Sequence, residues 1–140
     1  MNGVLLLALA LGAPALKDKS APAPPIQGEW KVKSRTDCGR PSTDQNRWIF
    51  APGGTAEIHD PTGRVASTLT YTVASDGKLK TLDFYEAQGN GRADLRQAIY
   101  KIDGDTMTIS WTLGNTPRPT SFDPGTGHYV VTLVRVRPKD

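Results

Sequence analysis

The stretch Tyr100-Lys101-Ile102-Asp103-Gly104-Asp105-Thr106-Met107-Thr108-Ile109-Ser110-Trp111-Thr112-Leu113 decides the fold class. In its second half Met107, Ile109, Trp111 and Leu113 alternate with Thr106, Thr108, Ser110 and Thr112. Successive side chains of an extended chain point to opposite faces, so this pattern gives one apolar face and one hydroxyl face. Threonine suits the wet side because its β-branch fits the pleat. The Asp103-Gly104 pair between two alternating runs signals a tight hairpin, since glycine takes the positive φ that such turns require. The stretch therefore predicts two antiparallel strands of a half-buried sheet.

The same period recurs on both sides. Residues 67–73 place Leu69, Tyr71 and Val73 against a threonine face. Residues 28–34 put Trp30 and Val32 on one side and Glu29, Lys31 and Lys33 on the other; residues 47–51 pair Trp48 with Phe50. Further strands are predicted at 55–59, 79–85, 95–102 and 129–137, the last with Tyr129, Val131, Leu133 and Arg135 on one face. Turn residues separate them: Pro52-Gly53-Gly54, Asp60-Pro61-Thr62-Gly63, Ser75-Asp76-Gly77 and Gly89-Asn90-Gly91. No segment carries the pattern of a long amphipathic helix. About eight short strands in up-and-down order close into a barrel or pair as a sandwich, and closure removes the exposed edges. The expectation is an all-β, eight-stranded antiparallel barrel whose interior holds side chains or one small ligand.

The 140 residues suit one domain, and a single cysteine, Cys38, leaves no internal disulfide, so stability must come from the core. The net charge is +3, with the basic residues spread along the chain; nucleic-acid binders cluster theirs, so no nucleic-acid partner is expected. Val4 to Leu11 reads V-L-L-L-A-L-A-L and is followed by Ala13-Pro14-Ala15. Such a run is too short to span a bilayer and matches the apolar core of a secretory signal with a small-residue cleavage site. The start carries no Lys or Arg, which departs from the usual pattern. The organisation expected is a signal peptide over 1–15, an Ala/Pro-rich linker over 16–26 and a barrel domain over 27–138, exported to the periplasm or outside the cell without stable membrane insertion.

Gly28-x-Trp30 opens the first strand and Arg135 lies on the last. This resembles the calycin pattern of lipocalins, in which an early Trp packs across the closed end of the barrel against a final-strand Arg or Lys. A guanidinium stacked on an indole gains a cation–π contact, and its stem seals apolar surface. Taken with Ile102-Asp103-Gly104-Asp105-Thr106-Met107-Thr108-Ile109, Arg118-Pro119-Thr120-Ser121-Phe122, Gly125-x-Gly127 and Val131-x-Leu133-Val134-Arg135, the layout resembles an uncharacterised lipocalin-like family of planctomycete-type bacteria. The resemblance covers residues 26–137. It implies a barrel closed by Gly28, Trp30 and Arg135, and no established activity. Residues 38–46 and 88–92 have no clear counterpart in that pattern.

No catalytic centre is expected. His59 and His128, the two histidines, stand in turn regions without metal spacing. Asp83 and Glu86 flank Phe84-Tyr85 as ordinary strand-end acids, and neither Gly-rich stretch leads from a strand into a helix, as a phosphate cradle would. No cofactor or metal is implied. The candidate site is the inner face: Trp48, Phe50, Leu69, Tyr71, Phe84, Tyr100, Met107 and Trp111. Alternation alone does not separate a filled core from an apolar calyx. Two readings stay open: a binder of a small hydrophobic molecule, or a packed scaffold whose loops, 36–46 and 114–127, bind an envelope protein or inhibit it.

Overall fold

A computed structural model describes residues 25–87, 93–112, 116–125 and 127–137. Every regular element among them is a strand: β1 (Gly28–Asp37), β2 (Arg40–Ser42), β3 (Arg47–Ala51), β4 (Thr55–His59), β5 (Val65–Asp76), β6 (Leu79–Ala87), β7 (Ala93–Asp103), β8 (Thr106–Thr112) and β9 (His128–Arg135). They form one sheet in the order β2-β1-β3-β4-β5-β6-β7-β8-β9, and β9 pairs back onto β1. β2 only borders the end of β1. The other eight strands, all antiparallel to their neighbours, close on themselves as an up-and-down barrel of the lipocalin-like kind. Closure satisfies the backbone of both would-be edges. The signal-peptide expectation over 1–15 and residues 16–24 of the linker expected over 16–26 lie outside the described residues; the linker's last two residues are described.

The hairpin that decides the fold class turns one residue later than expected. Asp103 and Thr106 are its last pair, so the two loop residues are Gly104 and Asp105. Gly104 has φ 62°, the positive first position of a type II′ turn, whose twist matches that of the flanking strands. β2 was not expected at all. Cys38 (φ 53°) and Gly39 (φ 84°) make a two-residue turn with both φ values positive, and Arg40 comes back against Asp37. A cysteine in the left-handed region is unfavourable, by about 1 kcal/mol. No Asn-Gly or Asp-Gly signal marks this hairpin, which is why it reads as loop.

Pairing register sets the two ends. Gly28 and Arg135 share one end with the turns at 52–54, 77–78 and 104–105. The turn at 38–39 and the 60–64 connection lie at the other. Asp60 organises that connection, accepting from the Thr62 backbone N–H (2.8 Å) and hydroxyl (2.5 Å) and from the Arg64 N–H (3.1 Å). The Thr62 hydroxyl, the largest influence, helps hold the Asp60 carboxyl below its ordinary range.

The inner face is one continuous core that includes Trp30, Trp48, Phe50, Leu69, Leu82, Phe84, Met107, Ile109 and Leu133. Ile26, at the end of the Ala/Pro-rich stretch, is buried in it as well. A second buried layer lies on the outer wall, where Ile99, Ser110, Thr112 and Val130 are covered. The cover is the long connection after β8. Pro119 is buried, Thr112 Oγ1 donates to the Pro117 carbonyl (3.1 Å), and Arg118 donates to Asp83 (2.6 Å) and the Ala98 carbonyl (2.8 Å). Lys101 Nζ sits 4.7 Å from the centre of the Phe122 ring. The described part of this connection thus lies along the wall of the barrel and does not project from it.

Candidate functional site

At the closed end the chain completes its own contacts. The Arg135 guanidinium lies 4.2 Å from the centre of the Trp30 ring and donates to the carbonyls of Gln27 (3.0 Å) and Pro25 (2.7 Å). Trp30 is fully buried, and its indole N–H donates to the Ile26 carbonyl at 2.9 Å. Gly28 has φ 122°, and a Cβ there would stand 3.1 Å from Arg135 Nη1. Glycine therefore meets two demands at once, a backbone conformation closed to other residues and room for the guanidinium.

The opposite end is open. A cup of about 440 Å³ enters the barrel there. Its wall is aromatic: Trp48, Phe84, Trp111 and Tyr129. Trp48 and Phe84 meet edge to face at 6.2 Å, Phe84 and Trp111 at 5.8 Å, and Trp111 stacks on Tyr129 at 5.5 Å with planes 9° apart. Such edge-to-face and stacked pairs add to the area they bury. Leu69, Ile58 and Ala66 complete the apolar lining.

Polar groups stand among these rings. Arg35 reaches the cup because of a β-bulge. Val32 pairs with Leu133, but Ser34 pairs with Thr132, so one residue of β1 is extra. The slip inverts the alternation and puts Arg35 opposite the buried Val131, on the inner face. Its guanidinium lies 5.6 Å from the Trp111 ring centre and 5.8 Å from that of Tyr129, and it donates to Asp37 (2.6 Å) and Asp44 (2.9 Å). Burial works against its charge, but the two carboxylates outweigh burial and raise its pKa above the ordinary arginine value.

On the far wall Arg96 pairs with Phe84 and so also faces inward. Among the described residues its ionic partner is Asp94, at 3.7 Å, beyond hydrogen-bond distance. Glu86 lines the cup and accepts from the Ser67 hydroxyl at 2.7 Å. Asn46 completes the polar set. Trp48 is 3% exposed, and its indole N–H is buried without a partner among the described residues.

The residues expected to line the interior are all buried, but they divide. Trp48, Leu69, Phe84 and Trp111 border the cup. Phe50, Tyr71, Tyr100 and Met107 fill the barrel away from it. Phe50 and Tyr71 meet edge to face at 5.2 Å, and the Tyr71 hydroxyl donates to the Ala51 carbonyl at 2.9 Å. Desolvation, the main influence, raises the pKa of both Tyr71 and Tyr100. The barrel is thus filled over its closed half and concave over its open half.

Reading the sequence for apolar residues missed the polar part of the cup. Glu86 and Arg96 keep the phase of Phe84 and of Ala98 and Tyr100, so counting in twos to the strand ends finds them. Arg35 gives no such signal, because the bulge that turns it inward is invisible in the pattern.

The other candidates do not assemble. Asp83 faces outward to Arg118, whereas Glu86 faces the cup, so this acidic pair is split between the two faces of β6. His59 pairs with Glu57 at 2.9 Å, while the backbone of His128 is tied to Gly125 and Cys38. Among the described residues no group of three or more His, Cys, Asp and Glu side chains is placed to hold a metal ion. Comparison with protein-family models, with curated proteins and with solved structures gives no match to this chain.

Proposed function

We propose that this is an exported, lipocalin-like binding protein that holds a small molecule in the cup at the open end of its barrel. The observation that carries the reading is the cup's unfinished chemistry. Aromatic rings wall a concavity of about 440 Å³, within the range of small-molecule sites, and the inward Arg96 guanidinium has its nearest carboxylate among the described residues at 3.7 Å, beyond hydrogen-bond distance. A guanidinium that faces a concavity without a close partner can take a ligand oxygen. The described part of the connection after β8 lies flat on the wall and does not fill the cup. Export rests on the apolar run of residues 4–11 and the small residues after it.

Native mass spectrometry of the protein, purified gently from its own cells, tests this. An extra mass that disappears on denaturation, and that is lost in a Trp48→Leu variant of unchanged fold, is the expected result. A bare mass, together with no shift of the Trp48 indole N–H resonance on adding a library of small aromatic compounds, would overturn it.

A further inference from the structure

We infer that the occupant of the cup is a small aromatic zwitterion: a flat ring carrying both a carboxylate and a protonated amine. This rests on the reading of the cup as a binding site and narrows it.

The aromatic wall fixes the first part. Trp48, Phe84 and Trp111 converge within 5.8–6.2 Å of one another, and a flat ring presents its edges and faces to such walls better than a chain does.

The second part comes from how the polar groups are used. Arg35 is already engaged by two carboxylates at hydrogen-bond distance. Arg96 is not: the nearest carboxylate among the described residues stands 3.7 Å away. An inward guanidinium with no hydrogen-bonded carboxylate among the described residues calls for an acceptor, and a carboxylate is the group that fits a guanidinium fork.

An acid alone would not suit the cup. Glu86 shares it, and the neighbouring Asp94 and the Asp37 and Asp44 partners of Arg35 add further negative charge at the open end. Among the described residues Glu86 accepts one hydrogen bond, from Ser67, on one carboxylate oxygen; the other oxygen can take a donor. Glu86 and Arg96 stand on adjacent strands, two register positions apart on the same face, yet among the described residues each has a different partner. A ligand with both charges places its carboxylate on Arg96 and its ammonium on Glu86, and so pairs each buried-side charge with its opposite.

Isothermal titration calorimetry on the full chain with L-phenylalanine, 3-phenylpropionate, phenethylamine and 2-phenylethanol tests this, with the Trp48 indole N–H resonance as a second readout. The expected order puts L-phenylalanine first, by about tenfold or more over each single-charge analogue. Arg96→Gln should remove the advantage given by the carboxylate, and Glu86→Gln the advantage given by the amine, each without displacing the other indole resonances. If 2-phenylethanol binds as well as L-phenylalanine, the cup binds rings and the zwitterion inference fails. If a single-charge analogue binds best, that charge alone is recognised and the inference fails as well. If none of the four binds, the inference fails, and native mass spectrometry decides whether the binding reading falls with it.

Discussion

Trp30 and Trp48 are direct neighbours across the β1–β3 ladder, yet they belong to opposite kinds of surface. Around Trp30 every demand is met from within the chain. Its N–H has the Ile26 carbonyl, its ring has Arg135, and the guanidinium of Arg135 has two carbonyls of the N-terminal segment. Around Trp48 the rings are packed as closely, but its N–H has no partner among the described residues, and Arg96 and Glu86 both line the cup without pairing with each other. A protein that only needed to close a barrel could finish both ends in the same way. One end is built for stability, where any loose group would be a cost. On the proposed reading the other keeps hydrogen-bonding capacity that costs the empty protein and would be a gain once a ligand filled the cup.

The contrast can be broken most forcefully at the closed end. Trp30→Ala should destabilise the protein by roughly 3–5 kcal/mol in denaturant unfolding, through lost burial and the cavity left behind. A loss within about 0.5 kcal/mol, as for a surface residue, would show that the closed end does not depend on the plug. Gly28→Ala comes next, at about 1–3 kcal/mol, because alanine must adopt φ 122° and crowd the Arg135 guanidinium. Arg135→Lys should not rescue it, since relief of the crowding leaves the backbone strain in place.

Paired substitutions sharpen the comparison. Trp30→Phe should cost about 1 kcal/mol more than Trp48→Phe, because the first strands the Ile26 carbonyl while the second removes a donor without a partner among the described residues. Equal losses would mean that the Trp48 N–H is satisfied in solution. The smallest effect is expected at the open end's tight turn. Cys38→Asn should stabilise by about 0.5–1 kcal/mol, since asparagine tolerates the left-handed backbone better than cysteine. Unchanged or lowered thermal stability would show that the thiol's own contacts outweigh the strain.

How much of this was legible depends on the length of each pattern. The alternation of 106–112 and 67–73 fixed strands whose inner faces are those expected, and β3 and β4 begin and end at the residues the turns predicted. These strands are regular, so each residue's parity states its face. Trp30 and Arg135 could be paired because they lie on the first and last strands, which closure makes neighbours. Within the site, the apolar wall is legible in the sequence and the polar groups are not. Glu86 and Arg96 obey the parity rule but look like solvent-facing charges until the barrel is seen to curve around them.

By itself, then, the sequence determined that the chain forms antiparallel strands with one apolar face, because periodicity and turn chemistry are local properties. It also determined that such strands have to close or stack to hide that face. Only the tertiary structure decided that the closed half is filled and the open half is concave, because interior volume depends on how side chains from distant strands meet. The tertiary structure also decided which charges enter the cup. A single extra residue between Val32 and Ser34 turns Arg35 from the outer to the inner face, and no count along one strand reveals a slip that exists only against its partner.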